Sequence, residues 1–189
     1  MKGGDSFVTH EIIIAGFGGQ GIMLMGKLLA MAGMMDDKNV TWFPSYGAEM
    51  RGGTANCTVI ISERAIGSPI VSRPWAAIVM NQPSMERFAP RVRPNGLLLI
   101  NASLINGTTS HRADIEILSL PITDTADKLG SVKVANIVAL SAFCAKTDIV
   151  SQGSLEKALE EILSSNKKRD LVEINRKAVL AGREMVSAN

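Results

Sequence analysis

The chain has 189 residues, 46% hydrophobic and 20% charged, which supplies enough apolar material for a sizeable core. Its 20 basic and 18 acidic side chains leave a net charge of +2, so there is no electrostatic case for a nucleic-acid or membrane surface. Aromatic residues make up only 4% and methionines number ten, so the core must be aliphatic and methionine-rich.

Glu11 to Phe17 (EIIIAGF) is a short apolar run ended by glycine and reads as a buried first strand. Gly18 to Gly21 is a turn, and residues 22–35 read as a helix. Asn39 to Phe43 is a second strand closed by Pro44. This β–turn–α–β order predicts two parallel strands joined by a right-handed crossover.

The stretch 45–53, SYGAEMRGG, matches no regular element. Thr54 to Ser62 alternates Ala55, Cys57, Val59 and Ile61 against Asn56, Thr58, Ile60 and Ser62, which predicts a half-buried strand. Glu63 to Gly67 reads as a turn, with Ser68 to Val71 returning antiparallel.

Ala76 to Asn81 is a further buried strand, and Pro83 opens a helix to Val92. Gly96 to Asn101 and Ile115 to Leu118 are strands. Pro121 precedes a polar helix stopped by Gly130. Val134 to Lys146 is apolar nearly all round and so buried. Ser154 reads as the cap of a helix running through Leu163. The last helix, about 168–186, carries a stripe of Leu171, Ile174, Ala178, Ala181 and Met185. The expected fold class is α/β: a three-layer α/β/α architecture with a mostly parallel mixed sheet and C-terminal helices.

Gly16, Gly18 and Gly21 satisfy G-x-G-x-x-G between a strand and a helix. Such a turn brings backbone N–H groups and a helix N-terminus to an anion, the latter contributing about 0.3–1 kcal/mol. A dinucleotide site also needs an acidic residue at the end of the second strand. That strand ends Trp42-Phe43-Pro44-Ser45, and Asp36 and Asp37 read as the preceding helix terminus. A bound NAD or NADP, a tight turn without ligand, a phosphate of another ligand and a partner chain all remain open, so a free-standing NAD(P)-binding oxidoreductase and a nucleotide-binding regulatory module stand as alternative functions. The helix after the turn is apolar over most of its circumference, with Lys27 its only charge before Asp36, so it lies in the core or at a subunit interface.

In the 45–53 stretch, Gly47, Gly52 and Gly53 permit unusual backbone, and Arg51 can clamp a phosphate or carboxylate; a surface Glu49–Arg51 pair is the plainer alternative. Cys57 and Cys144 belong to no CxxC pair, so neither zinc nor an iron–sulfur cluster is expected. Both read as buried thiols, with a disulfide between them as the alternative. His10 and His111 read as surface side chains. There is no signal-peptide pattern and no apolar run of ~18 residues, so the expected location is cytoplasmic.

GFGGQG at 16–21, FPSYGAEMRGG at 43–53, IGSPIV at 66–71 and KVANIVAL at 133–140, in that order, resemble the gamma subunit of 2-oxoacid:ferredoxin oxidoreductases. The resemblance covers roughly residues 10 to 147 and departs at Ala48, where many members have proline. It implies one gamma-type domain over 1–189, with a core of about 10–147 and C-terminal helices at 153–188. The implied activity belongs to a complex that decarboxylates a 2-oxoacid, 2-oxoglutarate favoured, to acyl-CoA, CO2 and reduced ferredoxin. That complex uses thiamine diphosphate with Mg, iron–sulfur clusters and coenzyme A, none bound by this chain alone. Alpha and beta subunits, with delta in some forms, and ferredoxin are the implied partners. The chain itself is expected to lack catalytic residues. Gly16, Gly18, Gly19, Gln20 and Gly21, with Tyr46, Glu49, Arg51, Gly52 and Gly53, are the candidate coenzyme A or subunit-interface loops.

Overall fold

The computed structural model describes residues 8–45, 54–105, 112–164 and 169–187. Strands β1 (Thr9–Phe17), β2 (Asn39–Ser45), β3 (Thr54–Ser62), β4 (Ala76–Val79), β5 (Leu97–Asn101) and β6 (Glu116–Leu120) form one sheet in the order β2-β3-β1-β4-β5-β6. The β1–β4, β4–β5 and β5–β6 pairs are parallel, and β3 is antiparallel to both β1 and β2. Five strands therefore run one way, and β3 alone opposes them.

The expected βαβ unit is present with a strand inserted into it. β1 and β2 run parallel, but β3 lies between them. Insertion also corrects the half-buried reading of β3. Cys57, Val59 and Ile61 are buried on one face, and Thr58, Ile60 and Ser62 are buried on the other. Residues 65–70 border Ile60 and Ser62 there, so the predicted polar face does not meet open water. Those residues form bends, and the antiparallel return at Ser68 to Val71 is absent, since Pro69 has no N–H to give a ladder. Pro44 does not close β2. It sits inside that edge strand, where its missing donor costs no pairing.

Helices α1 (Ile22–Met35), α2 (Gln82–Phe88), α3 (Ile122–Lys128), α4 (Ala135–Thr147), α5 (Gln152–Ser164) and α6 (Arg169–Ser187) complete the layers. Alternation along β1 splits the core: Ile12 and Ile14 join α1, α4 and α5 on one face, while Ile13 and Ala15 join Met85 and Phe88 of α2 on the other. α4 is buried at every residue from Ala135 to Cys144, as its apolar circumference requires. α1 is mostly core, with Met25, Leu28 and Leu29 fully buried, although Met34 at its end is 65% exposed.

α6 packs along α4, and Gly182 makes this possible. A Cβ there would meet the backbone of Val138 and Ala142. Its buried positions are Asn175, Ala178, Val179 and Gly182; of the predicted stripe, Ala178 is fully buried and Ile174 and Met185 pack partly buried against the core. The cap of α5 is Ser151, whose Oγ accepts the Ser154 amide at 3.1 Å, not Ser154 itself. Asp36 at the end of α1 then accepts the Ser151 amide at 2.6 Å and the Ser154 hydroxyl at 2.6 Å, tying α1 to α5. No described helix is long and apolar enough to cross a membrane.

Candidate functional site

The chain leaves β1 for α1 on one face of the sheet and leaves β4 for α2 on the other. These opposite exits open a crevice at the carboxyl ends of β1 and β4, the place where open α/β sheets bind ligands. The glycine turn sits there. Gly19 and Gly21 have φ of +96° and +73°, values that favour glycine. Gly16 is buried, and a Cβ on it would lie 2.6 Å from Gln20 Oε1 and 2.7 Å from Ile22 Cδ1.

Gln20 folds back into the turn. Its Oε1 accepts the Phe17 amide at 2.6 Å and Asn81 Nδ2 at 3.4 Å. Its Nε2 donates to the Met80 carbonyl at 3.4 Å. Asn101 Nδ2 donates to the same carbonyl at 3.4 Å and to Thr123 Oγ1 at 2.8 Å, while its Oδ1 accepts the Thr123 amide. Asn81 and Asn101 are almost wholly buried. A continuous polar ladder therefore crosses the carboxyl edge from β1 through β4 and β5 to α3. Its buried amides are paired, as burial demands, and it fixes the crevice floor.

The crevice has a volume of about 240 Å³ and is lined by Gly19, Gln20, Met80, Leu104, Thr123, Val132, Lys133 and Ala135. Lys133 and Ala135 come from KVANIVAL, so two sequence motifs more than a hundred residues apart meet at one place. Asn136 of the same motif is buried, its Oδ1 accepts the Ile137 amide, and its side-chain amide lies where a Cβ on Gly21 would go. Gly21 thus needs to be glycine twice over, for its φ and for Asn136.

Of the candidate residues, Gly16, Gly18, Gly19, Gln20 and Gly21 are together at the β1 turn. Tyr46, Glu49, Arg51, Gly52 and Gly53 lie outside the described residues. The strands flanking them place their ends at the same sheet edge: Thr54 is paired with Phe17, and Ser45 with Asn56. Met80, Asn81, Asn101, Leu104, Thr123, Val132 and Lys133 were not picked out from sequence as site residues. The parallel pairing of β1, β4, β5 and β6, which brings them together, has no local sequence signal.

Both cysteines are free and buried. Burial pushes the Cys57 thiol up to about 12 and raises that of Cys144 as well, so neither is a nucleophile at neutral pH. His10 is not a free surface side chain. It lies in β1 with its ring 4.2 Å from that of Trp75, and burial, then Lys38 and Arg93, lower its pKa. His111 lies outside the described residues. Among the described residues no group of three or more His, Cys, Asp or Glu side chains could hold a metal ion. A separate cavity of about 170 Å³ between α5 and α6 is walled by Leu159, Leu163, Val179 and Leu180, away from the glycine turn.

Comparison with known proteins gives concordant matches. The family model described as pyruvate ferredoxin/flavodoxin oxidoreductase matches residues 11–185. The ketoisovalerate oxidoreductase subunit VorA of Methanothermobacter thermautotrophicus is 32% identical over 97% of this chain, and the match covers 38% of that protein. The chain thus spans about two-fifths of the length of the first curated relatives it matches. The 2-oxoglutarate synthase subunit KorC of Methanocaldococcus jannaschii is 34% identical over 80% of this chain and 82% of its own length. Among solved structures, the keto/oxoacid ferredoxin oxidoreductase gamma subunit of Geobacter sulfurreducens superposes with a TM-score of 0.81 at 32% identity, covering 95% of this chain and 99% of that one. A 2-oxoglutarate:ferredoxin oxidoreductase of Magnetococcus marinus, solved with 2-oxoglutarate, coenzyme A and succinyl-CoA, shares the fold with a TM-score of 0.87 at 21% identity, covering 96% of this chain and 31% of that one.

Proposed function

Because the chain belongs to the pyruvate ferredoxin/flavodoxin oxidoreductase family over residues 11–185, we propose that it serves as the gamma-type subunit of a 2-oxoacid:ferredoxin oxidoreductase. The whole assembly oxidatively decarboxylates a 2-oxoacid to acyl-CoA and CO2 and passes the electrons to ferredoxin. 2-Oxoglutarate is the favoured substrate, supported by the subunit KorC, which this chain matches over most of that protein's length. A branched-chain 2-oxoacid is the second reading, supported by the VorA relatives.

In this reading residues 1–189 act as one gamma-type unit in a cytoplasmic assembly with alpha and beta subunits, and delta where present. Thiamine diphosphate with Mg and the iron–sulfur clusters supply the decarboxylation and electron-transfer chemistry when bound. The described residues of this chain do not fit them: its two thiols are isolated and buried, and no metal-ligand group gathers. No step is assigned to those groups on this chain.

A coenzyme A phosphate does fit, and the carrying observation is the crevice at the carboxyl ends of β1 and β4. There Gly19 and Gln20 of the turn that Gly16, Gly18 and Gly21 shape line the same cavity as Lys133. The turn presents a helix N-terminus and Lys133 a full charge, so the chain's task is to bind and orient the acyl acceptor. Tyr46, Glu49, Arg51, Gly52 and Gly53 leave from the same edge and are proposed to extend this surface toward the ligand or a partner subunit.

A nicotinamide dinucleotide is the poorer reading. In that fold the second strand neighbours the first and its terminal acid reaches the ribose. Here β3 intervenes, so the end of β2 lies two strand spacings away, roughly 10 Å, and it ends in Ser45.

Capture of the untagged chain from its own cells, followed by iron and thiamine analysis, tests the assembly. Stoichiometric iron and thiamine with co-purified chains are expected. Recovery of the chain alone, soluble and free of both, would overturn the proposal.

A further inference from the structure

The groove between α5 and α6 lies on the outer helical layer, and its cavity of about 170 Å³ has apolar walls and a charged rim. Leu180, on the lip, is 52% exposed. The rim charges are sorted by helix. Glu156 and Glu160 stand one turn apart on α5, and Arg176 stands on α6, one turn before Leu180. Residues 165–168 alone join the two helices, which therefore run antiparallel. Arg176 Nη2 donates to Glu160 Oε1 at 2.6 Å, so these two residues mark one level of the helix pair.

A groove of this kind is complementary to itself. A two-fold axis parallel to the helices lays α5 of each copy over α6 of the other at an unchanged level. Carboxylates then meet guanidinium, and Leu180 of each copy meets the other's cavity. A two-fold axis across the helices instead stacks the carboxylate wall on its own image, which like charges oppose.

We propose that this groove is an isologous interface with a second copy of this chain, in which Leu180 covers the other copy's cavity and Glu160 and Arg176 alternate with their counterparts around the axis. Burial of Leu180 on both copies drives the association, and the charges choose its direction. The interface uses different elements from the β1/β4 crevice, so it does not depend on the coenzyme A reading.

Sedimentation equilibrium of the purified full chain tests this. The wild type is expected to sediment as a dimer of its 20.2 kDa chain. Leu180→Glu should weaken self-association about a hundredfold, because the axis repeats each substitution twice. Glu160→Arg and Arg176→Glu each put like charges across the axis, so each should be monomeric alone. Mixed, the two variants should pair, since each copy then supplies the charge that the other has lost. An ion pair acting only within one chain cannot give that rescue, and an exposed pair adds little to folding. On the captured complex, cross-linking through Leu180→Cys should join the chain to itself; Cys57 and Cys144 are buried and do not compete. A monomeric wild type, a Leu180→Glu chain that still dimerises, a mixture that stays monomeric or a cross-link to a different subunit overturns the inference. Each of those results leaves the proposed function standing, because that rests on iron, thiamine and the co-purified chains.

Discussion

Gln20 Oε1 accepts the Phe17 amide at 2.6 Å, so the side chain of the glycine loop closes its own turn. The same oxygen takes Asn81 at 3.4 Å, which links the turn after β1 to the cap of α2. The loop is thereby held open to solvent at Gly18 and Gly19 and rigid at Gln20.

Gln20→Glu keeps both accepted hydrogen bonds, loses the Nε2 donation to the Met80 carbonyl and places a negative charge at the crevice. Coenzyme A affinity of the captured complex should fall at least tenfold, about 1.4 kcal/mol, with a modest fall in melting temperature from the lost donor. Isothermal titration checks this, and equal affinity would remove the crevice from the binding site.

Gly21→Ala should destabilise the chain by about 2–4 kcal/mol, combining the left-handed backbone penalty with overpacking against Asn136. In the Gly21→Ala/Asn136→Ala double variant the overpacking is gone, so the two losses should fall short of adding by about 1 kcal/mol or more. Urea unfolding of the four proteins gives the coupling, and strict additivity would show that the two residues do not touch.

Gly182→Ala sets helix propensity against packing. Alanine gains about 1 kcal/mol in a helix interior. The new Cβ, however, would sit 2.9 Å from the Ala142 amide nitrogen and 2.9 Å from Ser141 Cβ, and would also press on the Val138 carbonyl. Overpacking of that kind costs about 1–3 kcal/mol or more, so a net loss of stability is expected. A stabilised variant in thermal melts would mean that α6 does not lie this close to α4.

Asp36 gives a pH signature. Desolvation raises its pKa, but hydrogen bonds from Ser154 and Ser151, with Lys38 nearby, outweigh that and hold the carboxyl below its ordinary value of 3.8. A depressed carboxyl contributes stability that is complete above the unfolded value and is lost as pH falls through the folded one. The wild type should therefore lose stability below about pH 4, and Asp36→Asn should show a shallower acid limb with lower stability at pH 7. Urea midpoints from pH 2 to 7 measure both.

Much of this fold was readable from local pattern. The span of α1 over 22–35 matches its predicted limits, because its apolar run ends at Asp36. α4 announced its burial through an apolar circumference. The insertion of β3 was not readable, since alternation along 54–62 shows a strand but not its neighbours. Nor did the spacing of Ser151 and Ser154 tell which hydroxyl caps α5; Asp36, more than a hundred residues away, takes up the Ser154 hydroxyl. The glycine turn was visible at once, yet Lys133 joined it only through the parallel pairing of β1, β4, β5 and β6. A lysine directly before a wholly apolar helix was the one local hint.

Immunodepletion tests the central claim most directly. Removing this chain from an extract of its own cells should take with it the ferredoxin reduction that depends jointly on 2-oxoglutarate and coenzyme A, and the activity should reappear on the captured material. Ferredoxin reduction left whole in the supernatant, with the chain recovered alone, would contradict the assignment.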